Sequence, residues 1–249
     1  MDSHRTHIDD KAGLETLESI QHAGAFNRWM YDQIKPFCKG KILEIGSGIG
    51  NISQFLIHDG FTTTLSDYNQ SYCDILSQKY SSNKHVSEII HLDILDPKFE
   101  KQFEHLAGQF DCIIGLNVIE HVDDDITALI NCKKLLAKDG RIIMLVPAYM
   151  WLFNGIDTSL GHFRRYNKKR IRLLFRDTGL RSIKMNYFNS PAIFGWFISG
   201  RVLKNTVIKE GQMKLYNFLV PLFKLADICT FNRFGISLIA VGERSEKEL

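Results

Sequence analysis

The sequence predicts an α/β fold with a doubly wound, mostly parallel sheet. Apolar segments of strand length alternate with helical segments over most of the chain, and this alternation favours parallel strands joined by helices. A glycine-rich turn directly after the first strand is the second observation, because such sheets bind ligands at the carboxyl ends of their strands. With 249 residues, 45% of them hydrophobic, the chain is predicted to form one domain around one sizeable core.

The predicted elements follow each other with short connections. In chain order they are helix 14–34, strand 42–45, helix 51–59, strand 61–65, helix 70–80, strand 86–92, helix 97–106, strand 111–116, helix 124–137 and strand 141–146. The strands have the apolar composition of strands that are buried on both faces of a sheet.

The segment 41–51, KILEIGSGIGN, is typical of a strand that runs into a glycine turn and then a helix. Gly46, Gly48 and Gly50 allow a tight turn and a close approach of the backbone to a ligand, because glycine has no Cβ. Asp67 follows a second apolar stretch, seventeen residues after Gly50, where a carboxylate can accept the hydroxyls of an adenosine ribose. The two signals together predict a nucleoside cofactor.

The details of the turn indicate which nucleoside it is. A dinucleotide fingerprint would have its third glycine at position 51, which is Asn51, and no Gly-Lys-Ser/Thr triplet of a P-loop follows. Glu44, directly before the turn, would repel a pyrophosphate but suits a ligand that carries sulfonium and ammonium cations. An NAD-type oxidoreductase is therefore the disfavoured alternative.

Five segments, in order, resemble the motifs of the Rossmann-like (class I) S-adenosylmethionine-dependent methyltransferases. They are LEIGSGIG (43–50), LSDYNQSY (65–72), HLDILD (91–96), FDCIIGLNVIEHVDDD (110–125) and GRIIMLVP (140–147). The resemblance implies S-adenosylmethionine as cofactor, S-adenosylhomocysteine as product and a seven-stranded sheet. It divides the single domain into a helical lead (1–39), a cofactor-binding core (40–190), a helical cap inserted before the last strand (191–234), and the last strand and tail (235–249).

The resemblance also assigns cofactor contacts. The assigned residues are Glu44, Gly46, Ser47, Gly48 and Gly50 around the methionine part, Asp67 at the ribose, Tyr68, Asp93 and Ile94 at the adenine, and Asn117 and Arg28 at the amino-acid end. Tyr68 has the alternative role of ordinary surface packing. Trp29, on the leading helix beside Arg28, is better explained as a core anchor.

The segment 117–125, NVIEHVDDD, raises the question of a metal. Some related methyltransferases carry ExxEH there, where two carboxylates and an imidazole bind a divalent ion, but the first position here is Asn117. Only Glu120 and His121 match, so no metal site is predicted. His121 is a candidate catalytic residue, with a structural hydrogen-bonding role as its alternative, and residues 123–125 are predicted to cap the next helix.

The segment 147–166, PAYMWLFNGIDTSLGHFRRY, is too long for a plain connection and follows the fifth strand at the predicted cofactor edge. Methyl transfer requires an aligned nucleophile and removal of a proton. His162, Arg165 and Tyr166 are candidate catalytic residues that would bind an acidic substrate or deprotonate a hydroxyl, together with Arg164. The alternative is that the arginines form surface ion pairs and His162 caps a turn.

The insertion 191–234 separates strands predicted at 180–187 and 235–242. Lys214, Asn217, Lys224 and Asp227 repeat at helical spacing and predict a narrow polar stripe beside a broad apolar surface. A lid over the substrate pocket or a homodimer face is the favoured interpretation. An interfacial helix that makes peripheral membrane contact and reaches a lipid-like substrate is the alternative.

Composition limits the remaining functions. The formal charge of +3, from 31 basic and 28 acidic residues, gives no reason to expect nucleic acid as a partner. Five cysteines without a CxxC pair, and a polar start (1–13) without the apolar core of a signal peptide, predict a cytoplasmic protein. We expect a methyltransferase, with O-methylation of a small or lipid-like hydroxyl or carboxyl compound preferred. A cofactor-binding module without catalysis is the alternative.

Overall fold

Seven strands form one sheet in a computed structural model that describes residues 11–206 and 210–245. The strand order is β3-β2-β1-β4-β5-β7-β6, with β1 to β5 parallel and β7 antiparallel to both of its neighbours. The strands are β1 (Lys41–Ile45), β2 (Thr62–Asp67), β3 (Val86–His91), β4 (Phe110–Leu116), β5 (Leu136–Pro147), β6 (Leu180–Phe188) and β7 (Ser237–Arg244). The predicted doubly wound, mostly parallel seven-stranded sheet is confirmed.

Helices lie between the strands and cover the sheet. The helices are α1 (Lys11–Gln21), α2 (Gly24–Ile34), α3 (Ser53–His58), α4 (Gln70–Tyr80), α5 (Phe99–Gln102), α6 (Asp125–Leu135), α7 (Gly155–Ser159), α8 (Lys168–Asp177), α9 (Ala192–Phe197) and α10 (Glu210–Cys229). Neighbouring strand residues alternate between the two faces, so Leu43 joins one core cluster and Ile42 the other, and both are fully buried. This double burial explains the continuous apolar runs in the sequence.

The leading helix predicted at 14–34 is two helices. The chain turns between α1 and α2 at the buried Ala23, whose N–H donates to Ile20 O at 2.9 Å. α1 then lies against the glycine turn, where Asn51 Nδ2 donates to Leu17 O at 2.9 Å. A Cβ added to Gly48 would come within 3.0 Å of Leu17 Cδ1. The division of the lead thus places a helix over the predicted cofactor turn.

The segment between β6 and β7 contains α9, a π-helical turn (Ile198–Val202) and α10. α10 packs mainly on α2, with Tyr216, Val220 and Phe223 turned toward the core. No helix within the described ranges combines the length and the hydropathy that spanning a membrane would require. The position of α9 and α10 relative to a bound substrate stays a prediction, as does the division of the chain into four parts.

Candidate active site

The glycine turn and Asp67 meet at the carboxyl edge of the sheet because β1 and β2 are parallel neighbours. Gly48 N donates to Asp67 Oδ2 and Asn69 N to Asp67 Oδ1, both at 2.9 Å. Gly48 has a φ of +54°, a conformation in the left-handed region that favours glycine. The carboxylate is thus held against the turn by two backbone donors, in the position predicted for a ribose contact.

Ser47 fastens the turn to the second strand. Its N–H donates to Ser66 O at 2.9 Å, and its hydroxyl accepts from Ser66 N at 3.2 Å. Glu44 lies buried just before the turn and accepts from Ser53 Oγ, at the start of α3, at 2.5 Å. Burial raises the pKa of Glu44 to about 7. This carboxyl therefore braces the turn against α3, and its predicted attraction for a cationic ligand depends on whether it is ionised.

Four further cofactor candidates follow β2, β3 and β4 at the same edge of the sheet. Tyr68 is 58% exposed, and Asn117 is exposed with a φ of +55°. Asp93 Oδ1 accepts from Leu95 N at 2.9 Å, and the Ile94 side chain is buried in the core. The topology brings these residues to one edge, and their contacts with adenine or the amino-acid end stay predictions.

Arg28, the remaining cofactor candidate, contacts side chains of α2 and α3, and its predicted role at the amino-acid end stays a prediction. Its Nε donates to Asp32 Oδ1 at 2.8 Å, and its guanidinium lies 5.6 and 5.7 Å from the ring centroids of Tyr31 and Phe55. These contacts hold Arg28 between α2 and α3, and none involves the glycine turn. Trp29 packs on Phe188 with ring centroids 4.5 Å apart, in agreement with its expected role as a core anchor.

A buried polar cluster follows β4 and β5. Glu120 is fully buried, and neither of its carboxylate oxygens has a hydrogen-bond partner among the described residues. The rings of His121 and His162 meet edge-on, with centroids 4.6 Å apart. One ligand atom from each of Glu120, His121 and His162 lies within 4.8 Å of the others, so the three groups can share one cation.

Burial sets the protonation of this cluster. It raises the pKa of Glu120 to about 8 and, together with the neighbouring His162, lowers the pKa of His121 to about 3. Burial has these opposite effects because it penalises the charged form of each group. At neutral pH, Glu120 is therefore mostly protonated and His121 is neutral.

Asp157 anchors the cluster from α7. Its Oδ1 accepts from Arg165 Nε at 2.8 Å and lies 2.9 Å from His162 Nδ1, while its Oδ2 accepts from Asn154 N at 3.0 Å. Asn154 in turn caps α7, accepting from Ile156 N at 2.9 Å. Burial opposes ionisation, but the hydrogen bond from His162 and the charge of Arg165 lower the pKa of Asp157. The loop predicted at 147–166 is thus built around one buried aspartate.

The other two catalytic candidates of this loop, Arg165 and Tyr166, make contacts within the protein. Arg165 is buried, donates to Ala148 O at 3.1 Å and lies 4.6 Å from the ring centroid of Trp196. The fully buried Tyr166 hydroxyl lies 3.0 Å from Asp125 Oδ2 and 3.1 Å from Ile119 O. These contacts tie the loop to β5 and to the segment after β4.

The two halves of the site touch through the segment after β4. A Cβ on Gly46 would lie 2.7 Å from Val118 Cγ2, so the glycine turn packs directly on the residue that precedes Ile119 and Glu120. The segment after β4 therefore links the cofactor edge to the buried cluster. Sequence reasoning missed Asp157 and the meeting of His162 with Glu120 and His121. The spacing of Asn154 and Asp157, which matches a helix N-cap and its third residue, was the available signal for the former.

Comparison with known proteins agrees with this geometry. Residues 43–142, which run from within β1 through the glycine turn and β4 into β5, match a family described as "Methyltransferase domain". The resemblance to the class I S-adenosylmethionine-dependent methyltransferases that the sequence motifs indicate is thus confirmed. The two predictions that follow from it, S-adenosylmethionine as cofactor and methyltransferase as enzyme class, are confirmed as well.

Solved structures share the fold of this methyltransferase at low sequence identity. A SAM-dependent methyltransferase from Archaeoglobus fulgidus aligns with a TM-score of 0.55 at 14% identity, covering 87% of this chain and 94% of the other. Phosphoethanolamine N-methyltransferase 2 from Haemonchus contortus gives 0.58 at 16%, covering 88% and 52%. Geranyl diphosphate C-methyltransferase from Streptomyces coelicolor gives 0.56 at 11%, covering 83% and 72%. These likenesses concern the fold.

Curated relatives resemble this methyltransferase over part of its length. A ubiquinone biosynthesis O-methyltransferase from Caulobacter is 29% identical over 109 residues, covering 44% of this chain and 41% of the relative. A highly reducing polyketide synthase from Fusarium is 32% identical over 127 residues, covering 47% of this chain but 5% of the relative. The chain thus matches a small fraction of the polyketide synthases and about half of the ubiquinone enzymes.

Proposed function

We propose that this methyltransferase moves the methyl group of S-adenosylmethionine to a hydroxyl or carboxyl oxygen of a small or lipid-like acceptor. The observation that carries the proposal is the contact between the glycine turn and the segment leading to the buried Glu120, His121 and His162 cluster. A cofactor edge linked to a largely buried group of titratable side chains suits a reaction that must exclude water and remove a proton. The partial match to ubiquinone biosynthesis O-methyltransferases adds support for oxygen as the acceptor atom.

In this proposal His162 is the base. If Nδ1–H of His162 donates to Asp157, as their 2.9 Å separation suggests, Nε2 is left unprotonated and can take a proton. The acceptor oxygen would attack the methyl carbon as the bond to sulfur breaks, its proton passing to His162 and S-adenosylhomocysteine leaving. Arg165 and Tyr166 would act as positioning residues, because their polar groups already bind Asp157 and Asp125.

A methyl-transfer assay tests the role of His162. We expect His162→Gln to lower kcat by roughly 100- to 10,000-fold, the scale of general base catalysis, while the affinity for S-adenosylhomocysteine stays within about twofold of wild type. His105→Gln, at an exposed position, is the matched control and should leave both unchanged. Equal loss of cofactor affinity in His162→Gln would identify the loop as part of the cofactor pocket, and unchanged kcat would remove His162 from the chemistry.

A divalent cation is a second candidate role for the same cluster. The specific observation in its favour is the fully buried Glu120 carboxyl, which has no hydrogen-bond partner within the described part of the chain. An unpaired buried polar group costs free energy that a bound cation would offset. Histidine nitrogens and a carboxylate oxygen suit zinc and other first-row metals. Such an ion would lower the pKa of an acceptor hydroxyl and orient it. The sequence prediction of no metal has not been tested.

Titration with Mn²⁺ or Zn²⁺ tests this candidate directly. We expect the ion to raise the Tm of the wild-type protein and the apparent affinity to increase as pH rises toward 8, because the metal requires ionised Glu120. Glu120→Gln should abolish the shift, while the exposed control Glu104→Gln should keep it. An identical Tm shift in both variants would mean that the ion binds elsewhere.

The two alternatives predicted from the sequence would differ from this proposal in ligand binding. A module without catalysis would bind S-adenosylhomocysteine and transfer no methyl group, and an NAD-type oxidoreductase would be stabilised by NAD instead. A small-molecule or lipid-like acceptor and a cytoplasmic location belong to the proposal, and the predicted homodimer face is weighed against a lipid surface below.

A further inference from the structure

Several polar side chains of α10 face the protein body and bind it. Asn217 Oδ1 accepts from two backbone N–H groups at the start of α2, at 2.8 and 3.1 Å. The buried Asp227 accepts from two backbone N–H groups after β6, at 2.5 and 2.7 Å. Lys224 Nζ lies 3.6 Å from Asp32 Oδ2 on α2. The polar stripe predicted from the sequence therefore holds α10 to the protein, with Lys214 as its exposed member.

The outer face of α10 is apolar and exposed. It consists of Leu215, Phe218, Leu222 and Leu225, whose exposed fractions are 62, 79, 60 and 55%. At 3.6 residues per turn these four side chains lie within about a quarter of the helix circumference. A contiguous apolar strip of this kind on the surface of a protein marks a site of interaction.

Charge identifies the kind of partner. The insertion 191–234 contains six basic and two acidic residues, a balance of +4, whereas the whole chain carries +3, which leaves −1 for the rest. One of the two acids is Asp227, which is buried. Arg201, Lys204, Lys214 and Arg233 are exposed; Lys209 lies outside the described residues. An apolar helix face in a basic segment matches the surface of a bilayer with anionic headgroups.

A second copy of the chain matches this surface less well. A twofold interface would bring the same patch against itself and would place two segments of charge +4 in contact. The apolar spacing resembles a coiled-coil seam, but it lasts about two heptads, and Pro221 within the helix removes one backbone hydrogen bond. A lipid surface has neither disadvantage.

We propose that the outer face of α10 binds the surface of an anionic lipid bilayer, with the helix lying in the plane of the headgroups. The four apolar side chains enter the boundary of the acyl region, and exposed lysines and arginines of the same segment contact the headgroups. None of the residues assigned above to the cofactor or to the chemistry belongs to this surface. Vesicle binding can be measured by itself and does not depend on catalysis.

Flotation with vesicles of phosphatidylcholine alone or mixed with phosphatidylglycerol tests the proposal. We expect the wild-type protein to float with the phosphatidylglycerol vesicles at low salt. The bound fraction should fall at least tenfold with phosphatidylcholine alone or at high salt. The double change Phe218→Asp, Leu222→Asp should lower the bound fraction at least tenfold. Ile126→Asp with Leu173→Asp adds the same charge at exposed apolar positions on α6 and α8 and should keep it.

Binding of S-adenosylhomocysteine and the circular dichroism spectrum report whether each variant is folded. If the double aspartate variant does not fold, the single change Phe218→Ser, at the most exposed of the four side chains, replaces it with the same expectation. No flotation of the wild-type protein would overturn the proposal, as would equal binding of the α10 variant and the control. A wild-type dimer that the α10 variant splits would identify a second copy as the partner.

Discussion

Replacement of Asp157 by alanine is expected to lower the free energy of unfolding by about 3–5 kcal/mol, the scale for removing one member of a buried ion pair. Asp157 is fully buried, and three groups would lose their acceptor at once: Arg165 Nε, His162 Nδ1 and Asn154 N. The guanidinium of Arg165 has no route to solvent that would compensate, since its side chain is 1% exposed.

Asp177→Ala is the matched control for this prediction. Asp177 pairs with Arg176 at 2.7 Å, but both side chains are exposed, so the loss should stay below about 1 kcal/mol. Chemical denaturation of both variants measures the difference. Equal destabilisation would contradict the view that burial makes the Asp157 pair costly to break, and the double variant Asp157→Ala, Arg165→Met should recover part of the loss.

Replacement of Asp67 by alanine is expected to weaken S-adenosylhomocysteine binding by about 1.5–3 kcal/mol, or roughly 10- to 150-fold. Two effects add: the ribose hydroxyls lose a charged acceptor, and Gly48 N–H loses the partner that orients the glycine turn. Asp67→Asn separates them, because the amide oxygen still accepts from Gly48 N while the negative charge is gone. Calorimetry with Asp177→Ala as the control measures both changes, and unchanged affinity in folded Asp67→Ala would remove this residue from the cofactor site.

The sheet was predictable because local pattern and burial agree. Ile42 and Leu43 lie on opposite faces and are both buried, so the apolar run itself carries the signal of a central parallel strand. The predicted start of the strand at 141–146 was wrong, because β5 begins at Leu136, directly after α6. Leu136, before the register shift, pairs with Phe110. This tertiary contact overrides the helical pattern predicted up to residue 137.

The cofactor edge was more predictable than the catalytic cluster. Glycines and Asp67 lie at strand ends, and parallel topology alone brings strand ends together. His162 reaches His121 only through the path of a loop that α7 and Asp157 shape, and spacing in the sequence does not encode such a path. Arg28 illustrates the same limit, because a helix position alone did not reveal that Asp32 binds its side chain.

The orientation of α10 was beyond the sequence for a related reason. Helical periodicity separates Asn217 and Asp227 from Leu215 and Phe218, but it does not say which set faces the protein. Hydrophobic burial favours an inward apolar face, whereas both polar side chains bind backbone N–H groups of the protein body. Those donors become visible only when α2 and β6 are in place.

Titration calorimetry of the wild-type protein with S-adenosylhomocysteine, and in parallel with NAD, tests most directly that this site holds the methyltransferase cofactor. We expect saturable binding of one S-adenosylhomocysteine per chain, weakened in Asp67→Ala, and no binding of NAD. Absence of S-adenosylhomocysteine binding by the folded protein, or NAD binding that depends on Asp67, would contradict the assignment of the glycine turn and Asp67 to S-adenosylmethionine.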